Sequence, residues 1–309
     1  MNTRKTAHNL LTLGTTISLL ILSLLTPVHA DDRSLQAAAQ STTQQSAAES
    51  RLLPLEGGSN FRDLGGYTTS DNKTIRSGVL FRSGSMASLT AKDEAYLNQR
   101  HFKAVVDLRS QEELALLPNL WVQHNSDIKY VYYQYSIKDI LNTSNASSAK
   151  ELGTGSLYLS IADRLQPQIK LYFAELLQEN TPLVVNCSAG QDRTGFASAL
   201  LLTALGVPRD VVIDDYLLST EYRNPANELG GIDLKKAAKT NDFARLMVRH
   251  TQGGKMTTAR PLITKEGTPY ISIAFSQIEE QYGSVENYLE SAINVDKKDI
   301  ARLRSLYLK

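Results

Sequence analysis

Leu183-Val184-Val185-Asn186-Cys187-Ser188-Ala189-Gly190-Gln191-Asp192-Arg193-Thr194-Gly195 runs from a β-branched strand, through a glycine-bearing loop, into an apolar helix that starts near Arg193. Cys187 is the only cysteine of the 309 residues, and five residues separate it from Arg193. A loop of that length can curl so that successive backbone N–H groups converge. The helix opening behind it adds unsatisfied donors and the positive end of its dipole. The Arg193 guanidinium can grip two oxygens of one anion, which a lysine cannot do. Gly190 lets the backbone turn tightly and approach a ligand, and Thr194 brings a hydroxyl toward the sulfur. The stretch therefore describes an anion cradle with a nucleophile at its base.

Outward from this loop the chain alternates strand and helix patterns. Val79-Leu80-Phe81 reads as a strand, Thr90 as the cap of a helix reaching about Gln99, Ala104-Val105-Val106 as a buried strand, and Tyr130 to Tyr135 as another. Ile169, Tyr172, Phe173 and Leu176 share one helical face, with Pro167 marking a break before it. The helix after the loop runs through Leu200, Leu201 and Leu205 and stops at Gly206; Pro208 starts the next, and Asp296 caps a last one. Alternating β and α units predict an α/β fold, a central and mostly parallel sheet flanked by helices on both faces. The tyrosines at 130, 132, 133 and 135 read as strand packing.

The bland reading of the loop is a buried structural cysteine in a strand-to-helix turn. Against it stand Gly190, Thr194-Gly195 after the arginine, and the agreement of strand and helix on either side. The loop resembles the Cys-X5-Arg signature of protein tyrosine phosphatases, and the wider chain resembles the bacterial atypical members. The blocks Asn60-Phe61-Arg62-Asp63-Leu64-Gly65-Gly66-Tyr67, Leu80-Phe81-Arg82-Ser83-Gly84, Val106-Asp107-Leu108-Arg109-Ser110, and Tyr282-Gly283-Ser284 with Tyr288-Leu289 fall in that family's order. The resemblance covers roughly Leu52 to the C-terminus. It implies an enzyme that hydrolyses phosphotyrosine, with phosphoserine and phosphothreonine as further candidates. Cys187 would be the nucleophile forming a phosphocysteine and Arg193 the phosphate clamp. Ser188, Ala189, Gly190, Gln191, Asp192, Arg193 and Thr194 would line the phosphate site.

Two positions depart from the family. Asn186 stands where histidine is usual before the cysteine, and Gln191 where lysine is usual before the aspartate. Both remove positive charge, and the lysine is the residue the family associates with phosphoinositide turnover. Inositol polyphosphate or phosphoinositide hydrolysis by the same mechanism is therefore one alternative, a phosphate-binding pseudophosphatase a second, and persulfide sulfur transfer a third. Protonating a departing tyrosine oxygen calls for a carboxylic acid. Asp192 within the loop is the first candidate. Asp107 follows, at the end of its strand where a parallel sheet's carboxyl edge would face the site. Asp214 and Asp215 are the remaining ones. Arg62, Asp63 and Arg82 are expected to form an ion pair and turn support near the sheet edge. The polar stretch from Glu221 to about Lys265 is either a solvated helical face or, by family analogy, a lid.

Met1–Ala30 carries Arg4 and Lys5, an apolar run from Leu10 to Leu25 and a small-residue ending at Val28-His29-Ala30, the pattern of a signal peptide. Residues 31–50, rich in Ala, Gln, Ser and Thr, read as a flexible leader, and 51–309 as a single phosphatase domain. Without Arg4 and Lys5 the 33 basic residues fall by two, giving a net charge of about −1 against 32 acidic ones. That balance offers no general attraction to nucleic acid or membranes. An exported protein, periplasmic or secreted, with no membrane span after signal cleavage is expected. Its partner would be a phosphotyrosine protein or peptide, or a small phosphate monoester. Only His101, His124 and His250 remain beyond the signal and show no ligand spacing, so neither metal nor cofactor is expected.

Overall fold

Strand β1 (Arg62–Asp63) pairs antiparallel with β2 (Leu80–Ser83), and β2, β3 (Ala104–Asp107), β4 (Lys129–Tyr132) and β5 (Leu183–Asn186) are parallel in the order β1-β2-β5-β3-β4. This computed structural model describes residues 51–141, 153–251 and 258–309, which belong to one compact unit, Gln45–Lys309. The signal peptide and leader assigned to 1–30 and 31–50 lie outside the described residues.

The strands alternate, but both faces are apolar, as a sheet covered on two sides requires. Phe81, Val105 and Val184 join Phe61, Phe102, Leu97 and Trp121 on one face. Leu80, Ala104, Val106, Leu183 and Val185 join the larger core on the other. Helix α1 (Ala91–Asn98), capped by Thr90, serves the first face through Leu97. Helix α2 (Gln111–Leu116) follows β3 directly. The larger core takes its helical side chains from α3 (Gln166–Leu177), α4 (Arg193–Leu205), α5 (Arg209–Leu217), α7 (Tyr270–Tyr282) and α8 (Lys297–Tyr307). Helix α4 is buried at every position but Thr203, which is why its sequence is apolar on all sides. Truncating Leu201 there, at 0% exposure, would cost about 2–5 kcal/mol. Gly206, at φ 89°, ends the helix in the left-handed region.

The parallel register brings Ser83, Asn186, Asp107 and Tyr132 level at the carboxyl ends of their strands. Segments leaving those ends emerge along one edge, where open α/β sheets place their ligands. One expectation is corrected here. Strand β4 stops at Tyr132, and Tyr132 and Tyr133 are exposed rather than packed. Tyr133 lies beyond the strand's end, and neither core cluster reaches Tyr132, whose ring lies against half-buried Tyr130 at 5.3 Å.

Within 221–265, the described residues include the short helices Pro225–Glu228 and Leu234–Ala237 and helix α6 (Asp242–His250). The Asn241 side chain, which caps α6, donates to the Glu112 carbonyl of α2 at 2.8 Å, so this segment is fastened beside the catalytic edge.

Candidate active site

The loop after β5 is held from behind by its carbonyls. The Ser188 carbonyl accepts from Ser85 N at 2.8 Å, Ala189 from Asn60 Nδ2 at 3.3 Å, and Gly190 from Asn60 Nδ2 at 2.8 Å and Arg82 Nη2 at 2.7 Å. In a trans peptide the N–H points opposite the C=O. Three successive carbonyls fixed outward therefore turn the N–H groups of Ala189, Gly190 and Gln191 toward the concave side, making an anion nest above the buried Cys187. Gly190 adopts φ +65°, and a Cβ there would stand 2.5 Å from Gly84 N. The loop can close onto β2 only with glycine at that place.

The anchors are themselves fixed by a buried carboxylate. Asp215 of α5 accepts from Arg82 Nη1 at 2.6 Å, Arg62 Nε at 3.3 Å and the Tyr67 hydroxyl at 2.9 Å. Burial opposes its charge, but the two guanidiniums prevail and hold its pKa well below the ordinary carboxylate range. Arg62, on the edge strand β1, and Arg82, on its neighbour β2, thus form the expected ion pair, with Asp215 and fully buried behind the loop. Asp63 supports a turn by accepting from Gly65 N and Gly78 N.

Arg193, the first residue of α4, meets Glu113 of α2 end-on: Nη1 to Oε2 at 2.7 Å and Nη2 to Oε1 at 2.6 Å. Nη1 also donates to the Tyr135 hydroxyl at 2.8 Å and reaches the Leu108 carbonyl at 3.2 Å. Of the five guanidinium donors, Nε–H and the second Nη2–H, side by side on one edge, have no partner among the described residues. That edge is shaped for two phosphoryl oxygens. Burial alone would raise the Glu113 pKa, yet the Arg193 charge and the hydrogen bonds of Arg193, Ser188 and Ser110 bring it down to about 2. Glu113 is placed by the capping box it forms with Ser110, whose N–H donates to Oε2 at 2.8 Å. Ser188 Oγ donates to the other oxygen, tying loop, clamp and α2 together.

The candidate acids separate clearly. Asp107 is 1% exposed and fully engaged, accepting from Arg109 N at 3.0 Å, Arg109 Nε and Nη2 at 2.9 and 2.7 Å, and the Tyr130 hydroxyl at 2.9 Å. Asp215 is buried behind the loop. Asp192 is half-buried on the loop itself, with Oδ1 accepting from the Tyr158 hydroxyl at 2.6 Å. Thr194 donates to the Ser83 carbonyl at 3.4 Å. Gln191 Oε1 accepts from Arg223 Nη1, whose guanidinium is paired with Glu228 through Nε and Nη2, both at 2.8 Å. A guanidinium of the 221–265 segment thus touches the position where the family carries lysine. Asn186 is fully buried, and neither amide atom has a partner among the described residues.

The sequence reading does not place Glu113, Tyr158, Tyr135 or Arg223 at the site; it has Tyr158 on a packed helical face, Tyr135 in strand packing and Arg223 in the polar insert. Only Glu113 left a local signal, since Ser110-Gln111-Glu112-Glu113 has capping-box spacing. The described residues contain no group of three His, Cys, Asp or Glu able to hold a metal, and no helix long and apolar enough to cross a membrane.

The outward-fixed loop and the Glu113-held Arg193 are both built to hold a tetrahedral anion, and holding a phosphoryl group is the task of a phosphate-ester hydrolase. Residues 53–309 match the tyrosine phosphatase family, and the chain belongs to it; it is a protein-tyrosine phosphatase. The chain is 29% identical over 253 residues to a Cupriavidus necator protein whose name makes it a candidate tyrosine-protein phosphatase, covering 81% of this chain and 86% of that one. It is 27% identical over 286 residues to the triple specificity protein phosphatase PtpB of Mycobacterium tuberculosis, covering 82% and 98%. To a tyrosine-protein phosphatase of Nostoc commune it is 25% identical over 236 residues, covering 74% of each.

Proposed function

We propose that this chain is an exported phosphatase that hydrolyses phosphotyrosine, and secondarily phosphoserine and phosphothreonine, through a phosphocysteine intermediate. The observation that carries the reading is a loop whose carbonyls are fixed outward directly after Cys187 and whose closing Arg193 is held end-on by Glu113. Thiolate attacks phosphorus as the bond to the ester oxygen breaks, and Asp192 gives that oxygen its proton. Water then attacks the phosphocysteine, returning a proton to Asp192 and releasing the thiolate with phosphate. Asp192 takes the acid role because its carboxyl lies on the loop, whereas Asp107 is saturated by Arg109 and Tyr130. The Arg223–Glu228 pair beside Gln191 is internally neutral, which favours a singly phosphorylated residue over a polyphosphorylated inositol.

The test is the initial rate of residues 31–309, without metal, on phosphotyrosine and phosphoserine peptides and inositol hexakisphosphate, with Cys187→Ser beside the native chain. Turnover of the phosphotyrosine peptide, fastest of the three and absent in the serine variant, is expected. Faster release from the inositol phosphate would refute the substrate assignment. Export rests on the Met1–Ala30 pattern and is tested by fractionation, with a mature N-terminus at Asp31 expected.

A further inference from the structure

Asp192 occupies the N-cap of α4, where an aspartate ordinarily folds onto the first N–H groups of its own helix. Its carboxylate makes no such cap. Both donors it meets bond the same oxygen: the Tyr158 hydroxyl at 2.6 Å and, more weakly, Gln191 Nε2 at 3.4 Å both reach Oδ1. No described residue donates to Oδ2. Tyr158 is held firmly for this task. Its side chain is 1% exposed, its ring stacks on Tyr270 at 5.7 Å, and its hydroxyl accepts from Tyr216 at 2.7 Å. Tyr216 in turn lies against the first turn of α4, where a Cβ on Gly195 would come within 2.9 Å of its ring.

We propose that Tyr158, braced by Tyr216, is a positioning residue that keeps the Asp192 carboxyl group off the N-terminus of α4, leaving the Thr194 N–H open to the substrate's phosphoryl group and Oδ2 free for proton transfer. The proton assignment rests on Asp192 being the general acid; the positioning does not. The physical conflict is local. Of the two N–H groups an N-cap side chain takes, that of Gly195 already serves the Gln191 carbonyl at 3.0 Å, which leaves that of Thr194; a carboxylate seated there is an anion beside the anion site. With its one proton donated to Oδ1, the Tyr158 hydroxyl draws the carboxylate sideways. Burial and the nearby Asp192 charge push the Tyr158 phenol well above its ordinary pKa, so it stays a donor at working pH.

The test compares competitive inhibition by inorganic phosphate in the native full chain, Tyr158→Phe, Asp192→Ala and the double variant. Tyr158→Phe is expected to bind phosphate about fivefold more weakly, the scale of one N-cap contact. Removing the carboxylate as well should restore binding to the Asp192→Ala level. Phosphate binding by Tyr158→Phe equal to native, or a double variant as weak as Tyr158→Phe, would overturn the proposal; the latter would reduce Tyr158 to packing. Tyr216→Phe keeps the Tyr158 hydroxyl but removes its brace, and should show a smaller loss of the same sign. The acid reading is separated by Asp192→Asn on aryl phosphates of graded leaving-group pKa. A rate dependence no steeper than native would sink Asp192 as acid while the phosphate comparison still decides the positioning role.

Discussion

Replacing Glu113 by glutamine removes one charge and almost no volume from beneath the catalytic arginine. The native carboxyl sits at a pKa of about 2 against 4.5 for an ordinary glutamate, a gap equivalent to about 3 kcal/mol of stabilisation by Arg193, Ser188 and Ser110. Glutamine can accept with only one end, and its amide end faces a guanidinium N–H, leaving a buried cation poorly matched. For a domain of this size a loss of about 3 kcal/mol lowers the melting temperature by about 6–12 °C. With the end-on bond gone, the Arg193 edge is no longer aimed, and displacement on the ångström scale costs about 10²-fold in kcat/KM. Thermal unfolding and initial rates on a phosphotyrosine peptide measure both effects. The folded pKa is depressed, so this stabilisation is complete above about pH 4.5 and disappears as the pH falls toward 2. The difference in urea midpoint between native and Glu113→Gln should therefore shrink over that window. Unchanged kcat/KM with a melting temperature within about 2 °C of native would refute the reasoning.

Gly190→Ala should abolish turnover, because its Cβ would collide with the β2 backbone at a positive φ; phosphate release assays on folded protein check it. Asp215→Asn leaves Arg62 and Arg82 buried without their counter-charge and should destabilise by about 3–5 kcal/mol, read from denaturant midpoints, with turnover falling as Gly190 loses its anchor. Asn186→Leu should be neutral or stabilising, by up to about 1–3 kcal/mol, since it replaces a buried amide with no partner among the described residues by an apolar group of similar size; the same midpoints decide it.

The chain's local grammar was enough for the loop and for the sheet that carries it. A β-branched strand, a glycine-bearing turn and an apolar helix in succession leave few alternatives, because each is governed by residues within a few positions of one another. The caps at Thr90 and Asp296 and the stop at Gly206 were legible for the same reason. The buried tyrosines were not told from the exposed ones, because that depends on where an edge strand ends and on which residues cross above it. The division of labour among the carboxylates lay further out of reach. Glu113 meets Arg193 across 80 positions, Asp215 meets Arg82 across 133, and Tyr158 meets Asp192 across 34. On paper Asp192 stands somewhat ahead of Asp107 as the acid, with nothing local to separate them further. Arg109 is a local partner of Asp107, but only the packed fold adds the Tyr130 hydroxyl to it and brings Tyr158 to one oxygen of Asp192 while no described residue donates to the other, because a carboxylate's chemistry is set by the donors around it and the deciding ones arrive from distant parts of the chain.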